Sequence, residues 1–503
     1  MKRRLFSLLV IPFLLLYAFP AGAVEKEERE WQDETMYFLM VDRFGNGDNA
    51  NDKDVNTEDP AAYQGGDFKG IETGLDDLKD MGFTTIILSP IFKNAPNSYH
   101  GYQITNYKKL NPYFGSMKDF NHLLKEAHKK DMKVLIDFPV THVSASHPWV
   151  KDESKADWFK SKSETDYEWM GDRSALDLEK EPVKQEIIQS AKWWTEQTEL
   201  DGYYLSNATG APADFWKDFS KEVKSVKKDF FLMGESAEKD LNLLNEYQQA
   251  GLDSVTNPAM TEPLREQFKN IDQDSETTPK LLKETESISN NPRLTANRFD
   301  SHLMNRYTRD MVNEHVFPGT RWKLALTYLY TIPGLPIVYY GSEIALDGGE
   351  GTDNHRFMSF RADKELIDYV TKLGELRQQL PALTRGTYEP IYSKDGMTVL
   401  KREYKDEVII VGVNNSGITQ KVSIPAEELD ANKELRGLLA GDLVRPQDGK
   451  FTIYMDRETS EIYALAKKTG INMSFVMALA GVYVVFMIFL YLVWKRGRTG
   501  RKA

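Results

Sequence analysis

Short apolar runs alternate with longer helical patterns through the first two thirds of the chain. The runs fall at 36–41, 84–89, 133–138, 202–205, 230–234, 254–256, 295–299 and 337–340, and each reads as a buried strand. Between them lie stretches with apolar residues at helical spacing, among them 117–130, 183–195 and 364–379. Strands interleaved with helices in this way predict a parallel α/β architecture. Periodicity alone leaves a closed barrel and a doubly wound open sheet equally open. The region 141–175, rich in polar and aromatic residues, reads as an excursion after the third strand. From Gly386 the period changes to two, with strands at 397–404, 408–414, 420–424, 451–455 and 462–466, which predicts a small antiparallel β-sandwich over 386–468.

The two ends carry a different pattern. Lys2, Arg3 and Arg4 precede an apolar stretch from Leu5 to Tyr17, and Ala21-Gly22-Ala23 then offers a small-residue cleavage site. The expectation is a signal peptide over 1–23, with an uncleaved anchor as the alternative. A second apolar run, 473–494, has no charged residue and is long enough at ~1.5 Å per residue to span ~30 Å of hydrocarbon. The basic tail 495–503 follows, with Lys495, Arg496, Arg498, Arg501 and Lys502, so the positive-inside rule puts it in the cytoplasm. The expected placement is a single-pass protein of the cell membrane whose ectodomain lies outside.

Composition narrows the partners. A net charge of -12 argues against nucleic acid. The absence of cysteine excludes disulfides and thiolate metal sites. A cysteine-free exported chain suits the envelope of a Gram-positive bacterium. Aromatic residues make up 12% of the sequence, enough for a large core and for surfaces on which sugars stack.

Several ordered segments together resemble one family. They are Val41-Asp42-Arg43-Phe44 with an Asn/Asp-rich loop behind it; Tyr99-His100-Gly101-Tyr102; Phe114-Gly115 with Asp119-Phe120; Leu176-Asp177-Leu178; Pro333-Gly334-Leu335-Pro336 with Tyr339-Tyr340-Gly341; and Asp353-Asn354 with Arg356 and Met358. From about Met36 to Ala466 the chain resembles the α-amylase family, the family 13 glycoside hydrolases. The resemblance implies a (β/α)8 barrel over 24–385 with an inserted region at 141–175 and a C-terminal sandwich. Catalytic groups in such barrels sit at the C-terminal ends of the strands.

The family's retaining reaction needs a carboxylate nucleophile and a carboxylic acid about 5–5.5 Å apart, and a third carboxylate steadies the transition state. Carried over by position, the third-strand motif supplies Asp137 and His142, with Thr141 where the family usually has a calcium-binding Asn. The fourth-strand motif, framed by Asp201-Gly202, puts Tyr204 on the family's arginine and Ser206 on its nucleophile. Thr209 and Gly210 fall where substrate-binding Lys and His are common. The fifth-strand motif keeps the acid, Glu235, and the seventh keeps His302 but puts Leu303 on the third carboxylate. Of the three carboxylates only Glu235 remains. Replacements are hard to find: Asp201 and Asp300 stand an odd number of residues from Ser206 and Leu303 and so point away, which leaves Asp214. Tyr102, Asp137, His142 and His302 are the implied sugar contacts, each with an ordinary core role as its alternative. Glu235 is read as a relic, a sugar-binding acceptor or a working acid.

The loop after the first strand is dense in hard oxygen ligands. It resembles a calcium loop of cyclodextrin-forming members of the family, with ligands falling on Asn46, Asp48, Asn51, Asp52, Gly65 and Asp67; a solvated Asn/Asp turn cluster is the plainer reading. Two functions are weighed. One is a catalytically impaired, membrane-anchored protein that binds α-glucan or another carbohydrate, or supports a membrane or envelope protein. The other is an active α-1,4-glucan hydrolase using Glu235 as acid and an unusual nucleophile.

Overall fold

The computed structural model describes residues 28–160, 167–360, 364–468 and 473–499. The expected signal peptide lies outside them. The chain divides into two units, one of Glu30–Ala431 with Leu435–Leu465, the other of the two ends with Asn432–Glu434.

The larger unit is built on eight parallel strands: β1 (Met36–Leu39), β2 (Thr85–Leu88), β3 (Lys133–Asp137), β4 (Gly202–Leu205), β5 (Phe231–Gly234), β6 (Ser254–Val255), β7 (Ala296–Arg298) and β8 (Leu335–Tyr339). Their spatial order is β6-β5-β4-β3-β2-β1-β8-β7. A bridge between Thr256 and Ala296 closes β6 onto β7, so the sheet is a barrel and the open-sheet alternative falls away. The strands read as near-continuous apolar runs because helices cover their outer faces and side chains fill the interior. Met36, Tyr37, Leu39, Ile86, Ile87, Leu88 and Leu135 are fully buried.

Each helix is fixed by local chemistry. Helix α1 (Phe68–Asp80) starts at Asp67, whose carboxylate accepts from Gly70 N–H at 2.7 Å. Helix α2 (Met117–Lys129) starts in a capping box made by Ser116 and Asp119, and buries Phe120, Leu123, Leu124 and Ala127 at helical spacing. Helix α3 (Glu181–Gln197) buries Trp194, whose indole donates to Tyr107 O at 2.6 Å and so ties the helix to the chain after β2.

Two hairpins leave the barrel. Phe92–Asn94 pairs with Ile104–Leu110 after β2, an element the apolar pattern did not announce. His142–Ser144 pairs with Arg173–Ala175 and anchors the expected excursion. After Arg385 come β9 (Thr387–Lys394), β10 (Met397–Tyr404), β11 (Glu407–Asn414), β12 (Gln420–Pro425), β13 (Lys433–Gly437), β14 (Leu443–Val444), β15 (Lys450–Met455) and β16 (Thr459–Lys467). They form a sheet of order β9-β10-β11-β16-β13-β14 facing the pair β12-β15, with Met397, Val399, Ile424, Phe451 and Ile453 in the core between.

In the second unit, a helix runs from Met473 to Thr499, and its described side chains at 477 and 479–494 are exposed and mostly apolar. Among the described residues no helix is long and apolar enough to cross a membrane.

Candidate active-site cleft

The C-terminal ends of β3, β4, β5 and β7 converge on a cleft of about 480 Å³. Tyr102, His142, Ser206, Glu235, His302 and Leu303 line it together, so the structure brings these residues, named from the sequence, to one place. Thr141, Thr209 and Gly210 line it too.

Asp137 lies fully buried beneath the cleft and organises it. Its Oδ2 accepts from Tyr102 OH at 2.7 Å and from the Ser206 hydroxyl, and its Oδ1 accepts from Ser206 N–H at 3.3 Å. Ser206 is thus turned toward Asp137. Tyr102 OH also meets His302 Nε2 at 2.7 Å. With its own proton given to Asp137, the phenol accepts, so Nε2 carries the imidazole hydrogen. His302 Nδ1 is buried without a partner. The rings of Phe38, His302 and Tyr102 stack in a column, with centroid spacings of 4.9 and 5.4 Å. Tyr102 is 2% exposed, which places it in the floor rather than on a stacking platform.

Burial sets the protonation of this floor. It pushes Asp137 up to about 7, with the nearby Glu235 charge adding to the effect and the bonds from Ser206 and Tyr102 opposing it. Burial holds His302 and His100 well below the usual imidazole range and lowers His142 to about 4. These histidines are neutral near pH 7 and act as hydrogen-bonding groups. The folded state holds the Asp137 proton more tightly than the unfolded chain does. Its stabilising contribution is therefore full below about pH 4 and is lost as pH rises through about 7. Asp137→Asn, which cannot ionise, is expected to flatten the fall in stability between pH 5 and pH 8, by about 3 kcal/mol at most. Urea unfolding at the two pH values measures this, and equal slopes in parent and variant would count against it. Asp42, also pushed up to about 7 by burial, keeps part of the slope in both proteins.

Glu235 is 3% exposed. Its Oε1 accepts from Arg298 at 2.8 Å and its Oε2 from Asn207 N–H at 3.2 Å. Arg298 also donates to Tyr204 OH at 2.8 Å. The sequence reading missed Arg298. The signal was there, as a charged residue in the middle of a short buried strand. It also missed the cleft wall contributed by the excursion, where Tyr167, Met170 and Arg173 stand.

The candidate replacement carboxylates lie elsewhere. Asp201 accepts from His128 Nε2 and Val134 N–H, both at 2.8 Å, before β4 begins. Asp300 is engaged by Tyr307 N–H and by Ser342 at 3.1 Å. Asp214 opens the helix Ala213–Val226, has an exposed side chain and pairs with Lys217 at 2.8 Å. It is not in the cleft lining, so the search for a nucleophile gains nothing from it.

At the loop after β1, Asp67 accepts from Gly47 N–H at 3.1 Å and Asp48 N–H at 2.7 Å as well as from Gly70. Asp48 pairs with Lys69 at 2.5 Å, and Asn46 Nδ2 donates to Asp52 Oδ2 at 2.7 Å. Asn51 Oδ1 and Asp52 Oδ1 are buried without a donor. Among the described residues no three His, Cys, Asp or Glu gather as a metal cluster. Two orphaned oxygens beside amide and backbone oxygens suit a hard cation, whereas Asp48 and Asp67 already have protein donors.

The profile of the α-amylase catalytic domain matches residues 38–214 and 175–371, and that of the α-amylase C-terminal domain matches 386–463. The chain belongs to the α-amylase family. Among solved structures it is similar to an Anoxybacillus α-amylase, at 48% identity and a TM-score of 0.85 over 88% of this chain and 100% of that one. It is also similar to the α-amylase of Geobacillus thermoleovorans solved with acarbose, at 43% identity and a TM-score of 0.83 over the same shares. The cyclomaltodextrinase of Thermoanaerobacter pseudethanolicus is 30% identical over 77% of this chain and 71% of its own length. The β/α-amylase of Paenibacillus polymyxa is 28% identical over 86% of this chain, which spans only 38% of that longer protein. Within this α-amylase family member, the cleft lies at the C-terminal ends of the barrel strands and is lined by Ser206, Glu235, His302 and Leu303 among others.

Proposed function

We propose that this family member binds α-glucan in the barrel cleft and is catalytically impaired. The observation that supports the reading is the pair of replacements at the strand ends. Ser206, its hydroxyl bonded to Asp137, stands at the nucleophile's position, and Leu303 at the third carboxylate's. A retaining glycosidase must build positive charge at the anomeric carbon against two carboxyl groups. A serine hydroxyl is a weak nucleophile at its own pKa; the group its hydroxyl meets, Asp137, is itself kept largely protonated below about pH 7 by burial, and leucine contributes no charge. Removing one preorganised electrostatic contact typically slows a reaction ~10²–10³-fold. Neutral hydrogen-bonding groups remain in Tyr102, His142 and His302, and these suit sugar hydroxyls.

The full chain, purified in detergent and incubated with maltohexaose, is expected to release no product above a Glu235→Gln control. Steady release by the parent that the substitution abolishes would show a working acid and overturn the impaired reading. Calcium belongs to the proposal as a structural ion at the loop after β1. Asn51 and Asp52 would hold it through their orphaned oxygens, with Asn46, Asp48, Gly65 and Asp67 around them.

The reading extends to the membrane. An apolar terminal helix with exposed side chains, with Lys495, Arg496 and Arg498 in its C-terminal end, suits a span with its basic end in the cytoplasm. Cell fractionation is expected to find the chain in the carbonate-resistant membrane pellet, and a version ending at Lys468 in the medium. Recovery of the full chain in the soluble fraction would remove the anchor from the proposal.

A further inference from the structure

Behind Glu235, outside the cleft lining, lies a buried cation for which glucan binding alone gives no reason. Alternation along β7 turns Asn297 outward, where its Nδ2 donates to Pro333 O at 3.2 Å, and turns Arg298 inward. Arg298 is 6% exposed, and its described ion-pair partner is Glu235 at 2.8 Å. Taking both charges from water is costly, and an apolar side chain would fill the same place without that cost. The other group Arg298 reaches is Tyr204, the tyrosine that stands in β4 where an arginine was expected. The positive charge expected at that level of the barrel is therefore present, but it comes from a different strand.

We propose that Arg298 is the positioning residue of Glu235. Together with Asn207 N–H it occupies both carboxylate oxygens as acceptors. Glu235 then presents lone pairs to a sugar hydroxyl instead of a proton to a glycosidic oxygen. On this view the retained glutamate is a working part of the binding site, not a remnant. The inference rests on the glucan-binding reading.

A double-mutant cycle tests it on the full chain, using Glu235→Gln, Arg298→Gln and the two combined. Maltohexaose binding is measured by titration calorimetry, and unfolding in urea on the same preparations. Each single substitution is expected to weaken binding at least tenfold. The double variant should bind no more weakly than the weaker single, because Arg298 then has nothing left to act through. Arg298→Lys, which keeps the charge, is expected to recover part of the affinity. If Arg298→Gln weakens binding as much in the Glu235→Gln background as in the parent, the proposal is wrong. If the parent does not bind maltohexaose, the glucan-binding reading falls, and the unfolding data still decide the positioning claim. There, a coupling of at least tenfold in the unfolding equilibrium is expected, and additive effects would overturn it.

Discussion

Acarbose is expected to bind this protein no more than about tenfold more tightly than maltotetraose. Ligands that mimic a glycosidase transition state bind an active enzyme ~10²–10⁸-fold more tightly than its substrates. For an amine-linked pseudo-oligosaccharide, much of that advantage comes from a protonated nitrogen lying among carboxylates. Here the carboxylates are missing or compensated. Ser206 and Leu303 carry no charge, Glu235 is paired with Arg298 at 2.8 Å, and burial pushes Asp137 up to about 7. The cation would meet no fully ionised carboxylate in the floor apart from the Arg298-paired Glu235, since Asp137 is held partly protonated at pH 7, and on the wall only the solvent-exposed Glu238, while the neutral sugar would meet the same hydroxyl-binding groups in either case. Titration of both ligands at pH 7, with the Geobacillus thermoleovorans α-amylase as control, makes the comparison. A preference of a hundredfold or more would mean that the cleft still stabilises a developing positive charge, and the impaired reading would fail with it.

Gly70→Ala is expected to destabilise the larger unit by about 3 kcal/mol or more. A methyl group on Gly70 would lie 1.8 Å from Gly45 O and 2.2 Å from Gly45 C. Both are backbone atoms, so no side chain can swing aside. Gly70 stands in the first turn of α1, and Asp67, which caps that turn, also gathers the N–H groups of Gly47 and Asp48. Pushing the loop away from the helix would break this arrangement as well as the close contact. Gly417→Ala is the matched control, since its nearest neighbour would be Asp272 Oδ2 at 3.4 Å. The midpoint of urea unfolding should drop for Gly70→Ala and stay in place for Gly417→Ala. A shift no larger than the control's would show that loop and helix separate at little cost.

The barrel was legible because each strand is a short apolar run bounded by polar residues. The run 202–205 coincides with β4 (Gly202–Leu205). The run at 337–340 started late, since Pro336 reads as a turn residue, yet Pro336 sits within β8 opposite Asn297. The cleft was legible where motifs fix strand ends, which is how Ser206, Glu235 and Leu303 were brought together. Arg298 was not, because a reading of the strand as simply buried does not say which residues face inward or what they meet there. Nor does sequence show that Ser206 and Tyr102 share one oxygen of Asp137, a meeting of residues far apart in the chain. Nor does it show that the tyrosine standing where an arginine was expected, Tyr204, meets an arginine of β7, Arg298. The hairpin Phe92–Asn94 with Ile104–Leu110 escaped notice because only part of its length is buried and its register is irregular.

The joint between β6 and β7 gives the Arg298 contacts a mechanical meaning. Strands β1 and β2 pair at four positions, whereas β6 and β7 meet through the Thr256–Ala296 bridge and the bond from Asn257 N–H to Ala296 O at 2.8 Å. A ring of strands resists spreading only as well as its weakest joint. Arg298 extends from one side of that joint to β4 and to the end of β5 on the other, so it works as a cross-brace where backbone pairing is thinnest. Its loss would loosen the ring at the floor of the cleft, and amide exchange at Thr256 and Asn257 should quicken before exchange in β1 to β3 does.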